Sequence, residues 1–267
     1  MLLTAGGTRE PVDDVRYLSN VATGSLPAAM AEALLCRGFD VDYVYGPGAQ
    51  RPGQLGLGVS LLAPDWTEAL AAVQARAQAR AAALAAGGGT LTLHPIQSAA
   101  DADATLRRVL AQSRPALVAC AMAVADYAPR RVAGKLGSRL RRDVDPDAPA
   151  LTLALDATAK VIDGVREVLP EARLLGFKLL SGADEAAHVE ASRALAERSG
   201  ADWVFSNDMR DYGVGRRCGA LRGPDGVARV RLDGGEGGGA LDRLSEALVA
   251  AVLDAAGLVG AGRGAAG

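Results

Sequence analysis

The stretch "LLTAGGTREPVDDVRYLSNVATG", residues 2–24, runs from an apolar start into paired glycines and then into charge. An α/β chain that binds a dinucleotide leaves its first strand by a tight turn and enters a helix within a few residues. Here residues 6–24 separate a strand read over Met1–Ala5 from a helix read from Leu26, and they carry Arg-Glu, Asp-Asp and Ser-Asn pairs among glycines and scattered apolar residues. Gly6 and Gly7 let a backbone approach an anion or a carbonyl closely, and Thr8 offers a hydroxyl. The stretch carries neither the G-x-G-x-x-G fingerprint nor a Walker lysine, which disfavours hydride transfer and ordinary phosphate-loop chemistry. Arg9 and Glu10 read equally well as an exposed pair.

Outward from that loop, short apolar runs alternate with amphipathic segments. Strands are predicted over Met1–Ala5, Val41–Tyr45, Val59–Leu61, Thr90–His94, Ala116–Met122, Arg173–Phe177 and Asp202–Ser206. Helices are predicted over Leu26–Arg37, Trp66–Ala86, Ala102–Gln112, Ala159–Leu169, Asp184–Ser199 and Leu241–Ala256. Gly219–Arg222 and Val227–Leu232, with "PDG" between them, read as a hairpin. The alternation implies an α/β fold: a Rossmann-like, doubly wound, mainly parallel sheet. Two segments interrupt it. Residues 48–89 read as an insertion outside the sheet, and the basic, Pro-punctuated residues 129–155 as a flap or dimerisation arm. The expected organisation is one domain over 1–259 with a frayed Gly/Ala tail over 260–267.

Composition narrows the class. A net charge of −2 over 267 residues gives no sign of a nucleic-acid surface. Three scattered cysteines do not make a disulfide framework, and neither His94 nor His188 has a neighbour at metal-ligand spacing, so no protein metal ligand is singled out. No run is long and apolar enough for a membrane span and no leader is evident, so a cytoplasmic location without membrane contact is expected. No Ser-His-Asp or Cys-His arrangement suggests covalent catalysis.

In open parallel sheets, ligands bind beyond the carboxyl ends of the strands. Those ends read "AGGTRE", "YGPG", "AMAVADYAP", "GFKLLSG" and "FSNDM". Together they aim Thr, Arg, Asp, Lys and Asn at one rim, although each could be an ordinary turn residue. Asn20, ahead of a Thr-Gly turn at Gly24, can donate to a carbonyl and accept from an amine, or simply cap a helix. Ala125-Asp126 follows an apolar strand, where a carboxylate can meet ribose hydroxyls or a metal. Lys135 sits amid glycines as a mobile point charge suited to a carboxylate or phosphate. Phe177 and Lys178 pair a stacking face with a cation, and Asn207 and Asp208 can meet a base edge or make an Asx turn.

The segments "LLTAGGTREPVDDVRYLSNVATGSL", "AMAVADYAP", "GKLGS", "AKVIDGVREVLPEARLLGFKLLSG" and "VFSNDM" resemble, in order, the motifs of phosphopantothenate–cysteine ligases of coenzyme A biosynthesis. "GFKLL" and the lack of a fused decarboxylase half look like the stand-alone type. The resemblance implies a homodimeric ligase that uses magnesium and CTP or ATP. The carboxylate of 4′-phosphopantothenate attacks the α-phosphate, pyrophosphate leaves, and the amine of cysteine attacks the acyl-nucleotidylate. By the same resemblance, Asn20 serves the second step and Lys135, in the flap, serves the anionic reactants. Ala125, Asp126, Phe177, Lys178 and Asn207 fall on nucleotide-pocket positions, and Gly6, Gly7, Thr8 and Gly24 on phosphate-facing loops.

The chain departs from the family pattern at Pro27, where glycine is usual, at Val21-Ala22, which replaces a more polar pair, and at Arg139, Arg141 and Arg142 after the flap lysine. Two other readings therefore stand beside the ligase: a paralogue activating a different carboxylate, and a non-catalytic nucleotide-binding subunit of the same fold.

Overall fold

The computed structural model describes residues 1–54, 62–130, 153–237 and 239–259. Lys135, the three flap arginines, the strand expected over 59–61 and the tail from residue 260 lie outside them.

The first strand, β1 (Leu2–Ala5), is buried on both faces, as a central parallel strand must be. Its side chains alternate between two cores. Leu3 and Ala5 join a cluster with helices α1 (Ser25–Cys36) and α7 (Ala240–Ala255), while Leu2 joins one with α3 (Ala99–Ser113) and α5 (Glu185–Ser199). Six parallel strands stand in the order β10 (Trp203–Asp208), β9 (Arg173–Leu180), β6 (Leu117–Cys120), β1, β4 (Val41–Tyr45) and β5 (Leu91–Pro95). The hairpin β11 (Cys218–Arg222) and β12 (Ala228–Asp233) continues the sheet antiparallel beyond β10. From β1 the chain winds outward through β4 and β5, then returns to β6 on the other side of β1. The reversal falls between β1 and β6, where a doubly wound sheet opens a crevice.

Three expectations need correction. Residues 66–87 are not an insertion: helix α2 (Trp66–Gly87) is the crossover between adjacent parallel strands β4 and β5, although only Val73 of it is buried. Second, the helix expected over Ala159–Leu169 is a 3-10 turn (Val161–Asp163) followed by the short α4 (Gly164–Val168). Gly164 sits at the joint, where a Cβ would approach the Arg107 guanidinium to 2.8 Å. Third, the long loop after β1 is an antiparallel ribbon, β2 (Arg9–Pro11) against β3 (Tyr17–Ser19). Within it Arg9 and Glu10 are not an exposed pair. The Glu10 carboxylate is buried and accepts the Ala99 N–H at 2.8 Å at the start of α3, and Arg9 lies over the Tyr17 ring, 4.4 Å from its centroid. A second ribbon pairs β7 (Tyr127–Pro129) with β8 (Leu155–Ala157), at the two described ends of the segment expected to form the arm.

Candidate functional site

A cleft of about 600 Å³ opens above the carboxyl ends of β1, β6 and β9, at the reversal of strand order. Asn20, Asp126, Phe177 and Lys178 all line it, although they lie far apart in sequence. Gly6, Gly7, Thr8, Gly24, Ala125 and Asn207 are not among its lining residues.

The glycines bring the segments beside the cleft together. Gly6 (φ 75°) and Gly24 (φ 68°) both adopt the left-handed conformation that favours glycine. A Cβ on Gly24 would meet the Gly6 nitrogen at 3.0 Å, and one on Gly7 would meet the Asn20 carbonyl oxygen at 2.8 Å. Their small size lets residues 20–24 lie directly on residues 5–8.

Thr8 is likewise internal. It is fully buried, and its Oγ1 accepts the Ala125 N–H at 3.0 Å. The neighbouring β1 residue Thr4 accepts the Met122 N–H at 3.0 Å, and the Gly6 carbonyl accepts the Ala123 N–H at 2.8 Å. From the far side the Thr158 hydroxyl donates to the Ala125 carbonyl, and the Thr158 N–H donates to the Asp126 carbonyl at 3.0 Å. The segment 122–126 is thereby fixed from both flanks, which orients the exposed Asp126 side chain.

Asn20 completes that arrangement. Its Nδ2 donates to the carbonyls of Ala123 and Val124, both at 3.2 Å. Both amide protons are thus engaged, and among the described residues its Oδ1 accepts no hydrogen bond. The amide therefore offers the cleft an acceptor.

Sequence reasoning did not single out two cations that line the cleft. Lys160 pairs with Asp126, and Arg198 with Asp163 at 3.2 Å. Lys178 makes no ion pair among the described residues. Lys160 lies in the quoted "AKVID", but a helix expected from residue 159 concealed its reach across to Asp126. Phe177, half-buried, packs its ring against Phe205 with centroids 5.8 Å apart.

Asn207 and Asp208 organise the next strand end. Asn207 Nδ2 donates to the Tyr212 hydroxyl at 3.0 Å. The Asp208 carboxylate accepts the N–H groups of Arg210, Gly182 and Ala183 at 2.8–3.0 Å, which pull its pKa down to about 2. It joins the turn after β9 to the start of α6 (Met209–Gly213). Among the described residues no group of three His, Cys, Asp or Glu side chains is placed to hold a metal ion. None of their helices is long and apolar enough to cross a membrane.

Comparison with known proteins bears on this arrangement. The family model for the DNA/pantothenate metabolism flavoprotein C-terminal domain matches residues 1–86 and 69–219. The coenzyme A biosynthesis bifunctional protein CoaBC of Thermococcus kodakarensis is 27% identical over 213 residues, covering 80% of this chain but 42% of the relative. The chain thus spans about two fifths of the length of that curated relative. The DNA/pantothenate metabolism flavoprotein of Streptococcus pneumoniae superposes with a TM-score of 0.66 at 20% identity, over 95% of this chain and 96% of the other. A Cab2 mutant solved in complex with phosphopantothenate-cysteine gives 0.70 at 18% identity, over 96% and 85%. At such identities the likeness is one of fold. The family model nevertheless covers most of the sequence, and the chain belongs to the DNA/pantothenate metabolism flavoprotein C-terminal domain family.

Proposed function

We propose that the chain is a phosphopantothenate–cysteine ligase, joining 4′-phosphopantothenate to L-cysteine through an acyl-nucleotidylate made from CTP or ATP. The observation that carries this reading is the Asn20 amide, held by two backbone carbonyls with its oxygen accepting no hydrogen bond among the described residues, in one cleft with Asp126, Phe177 and Lys178. In the first step the substrate carboxylate oxygen bonds to the α-phosphorus and pyrophosphate leaves. In the second, the cysteine nitrogen bonds to the acyl carbon and the nucleoside monophosphate departs with the mixed-anhydride oxygen. An oriented amide oxygen is suited to accept a hydrogen bond from the attacking amine, which aligns the nitrogen lone pair with the acyl carbon.

The basic groups suit the first step. Lys160, Lys178 and Arg198 line the same space, and by the family resemblance Lys135, which lies outside the described residues, would add a further charge. Such cations attract a polyphosphate and stabilise charge moving onto pyrophosphate. Phe177 would lie against the base, and Asn207 acts from behind, through Tyr212. A magnesium ion would arrive on the nucleotide's phosphates, and Asp126 is a carboxylate that lines the cleft to meet it. Bound there, the ion would neutralise phosphate charge.

A homodimer in the cytoplasm belongs to the same reading. Its support is the exposed apolar side chains of the two ribbons, Tyr17, Leu18, Tyr127 and Leu155, which a second copy would cover. The deciding experiment measures pyrophosphate release with magnesium, 4′-phosphopantothenate and cysteine, in parallel with CTP and with ATP. Release with either nucleotide, together with phosphopantothenoylcysteine by mass spectrometry, is expected. Silence with both from folded protein would overturn the reading.

A further inference from the structure

The fold gives the dipeptide Val21-Ala22 an unusual setting. Val21 is fully exposed, yet it lines the cleft beside Asn20. It has little freedom to turn inward. On one side Asn20 is tied to Ala123 and Val124, and the Ser19 hydroxyl donates to the Thr8 carbonyl at 2.8 Å. On the other, the Thr23 carbonyl accepts the Gln50 N–H at 2.8 Å, and Gly24 lies on Gly6. Solitary exposed valines are common on protein surfaces. This one shares its cleft with further apolar groups, namely Ala22, Val124 and the half-exposed Leu179. The cleft is thus lined both by cations, Lys160, Lys178 and Arg198, and by apolar groups, of which Val124 is joined to the Val21 segment by the Asn20 hydrogen bond.

We propose that Val21 and Ala22 form an apolar lip that seats a branched aliphatic segment of the carboxylate substrate and selects the acid to be activated. The proposal rests on the ligase reading and names what that site recognises. Phosphopantothenate has the required form, an anionic end and a quaternary carbon bearing two methyl groups. A β-branched side chain in few rotamers on a pinned loop loses little entropy when such a group covers it. A polar residue at the same place would have to shed water for no return.

The test uses the full chain and steady-state pyrophosphate release at saturating nucleotide and cysteine. Val21→Thr keeps the shape and replaces one methyl by a hydroxyl, and Val21→Asn removes the branched apolar surface. Because the side chain is in solvent, both variants are expected to melt with the wild type. Val21→Thr is expected to raise KM for 4′-phosphopantothenate about fourfold, the worth of one methyl contact, and Val21→Asn by more. The KM for nucleotide should stay unchanged. An acid lacking the two methyl groups should be a poorer substrate for the wild type, and the variants should discriminate less between the two acids. An active wild type whose acid KM ignores both substitutions, or whose nucleotide KM shifts equally, overturns the lip alone. A wild type that releases no pyrophosphate with either nucleotide overturns the ligase reading and the lip together.

Discussion

Two hollows of the same size, about 600 Å³ each, lie in different parts of this molecule. One is the cleft at the carboxyl ends of β1, β6 and β9. The other runs between α1, α2 and α7, on the face where α1 is buried without a break from Leu26 to Leu35. In the second hollow several polar groups are paired, although the Arg76 and Gln50 side chains have no partner among the described residues. The buried Glu32 carboxylate accepts the Gly53 N–H at 2.7 Å and pairs with Arg80, Glu246 pairs with Arg37 at 2.6 Å, and the Ser245 hydroxyl donates to the Asp242 carbonyl at 2.9 Å. Alanines of α1 and α2 fill much of the remaining wall. In the first hollow Asn20 Oδ1 and the Lys178 ammonium are left without partners among the described residues. They are carried on segments that other side chains hold still. Volume does not separate the two hollows. What separates them is where the open groups stand: Asn20 is held by two backbone carbonyls and Lys178 is on a central strand, whereas Arg76 is on α2, of which only Val73 is buried.

The largest effect is expected at the first hollow. Asn20→Ala should slow amide formation about 10²–10³-fold, the usual cost of one oriented polar group at a reacting centre. Pyrophosphate release should continue and the acyl-nucleotidylate should accumulate, as seen by mass spectrometry. Loss of both half-reactions by the same factor would assign Asn20 to binding instead. Thr8→Val should act through the support. It leaves the Ala125 N–H buried without its acceptor, at a cost of about 1–3 kcal/mol. Nucleotide KM should rise while cysteine KM stays constant. The matching change in the other hollow, Ser245→Ala, should leave both constants alone.

What was legible in the sequence divides along the same line. Strand ends could be read from apolar runs, and with them the grouping of Asn20, Asp126, Phe177 and Lys178. The same reading sent Gly6, Gly7, Gly24 and Thr8 to phosphate-facing loops; what it did not show is that they also pack one loop on another. A glycine that admits a phosphate and one that admits a neighbouring backbone look alike in sequence, because both report only that a Cβ will not fit. The Asp126–Lys160 pair joins residues 34 apart, across a segment whose three-residue strands are too short to show an alternating pattern. Pro27 is buried within the first turn of α1, where its missing N–H is tolerated, so the proline does not disturb the helix.

A smaller, pH-dependent effect should distinguish the wall of the first hollow formed by β9 and α5. Asp208 is held at about 2 by three backbone N–H groups, and Glu185 at about 2, chiefly by its hydrogen bonds from Arg222. Their ordinary values are 3.8 and 4.5. Both carboxylates are therefore depressed in the folded state, and the unfolded chain binds more protons in the interval. The stability they supply is complete above about pH 4.5 and is lost as the pH falls toward about 2. Denaturant midpoints measured across that window should fall with pH in the wild type and fall less steeply in Asp208→Asn. An unchanged slope would show that Asp208 does not tie the β9 turn in solution.

The smallest effect is expected in the second hollow, and it is the sharpest check on the contrast. Glu246→Gln removes the partner of Arg37, an ion pair whose side chains are 34% and 51% exposed. An exposed pair of this kind contributes about 0.2–1 kcal/mol. The Arg37 guanidinium keeps its second bond, to the Ala33 carbonyl at 2.8 Å, so the end of α1 should hold its place. Melting should shift by no more than a few degrees, and kcat and both KM values should match the wild type. A tenfold loss of turnover at unchanged stability would show that the α1–α2–α7 hollow works together with the cleft across the sheet. The place of the open groups would then no longer distinguish a packing defect from a site.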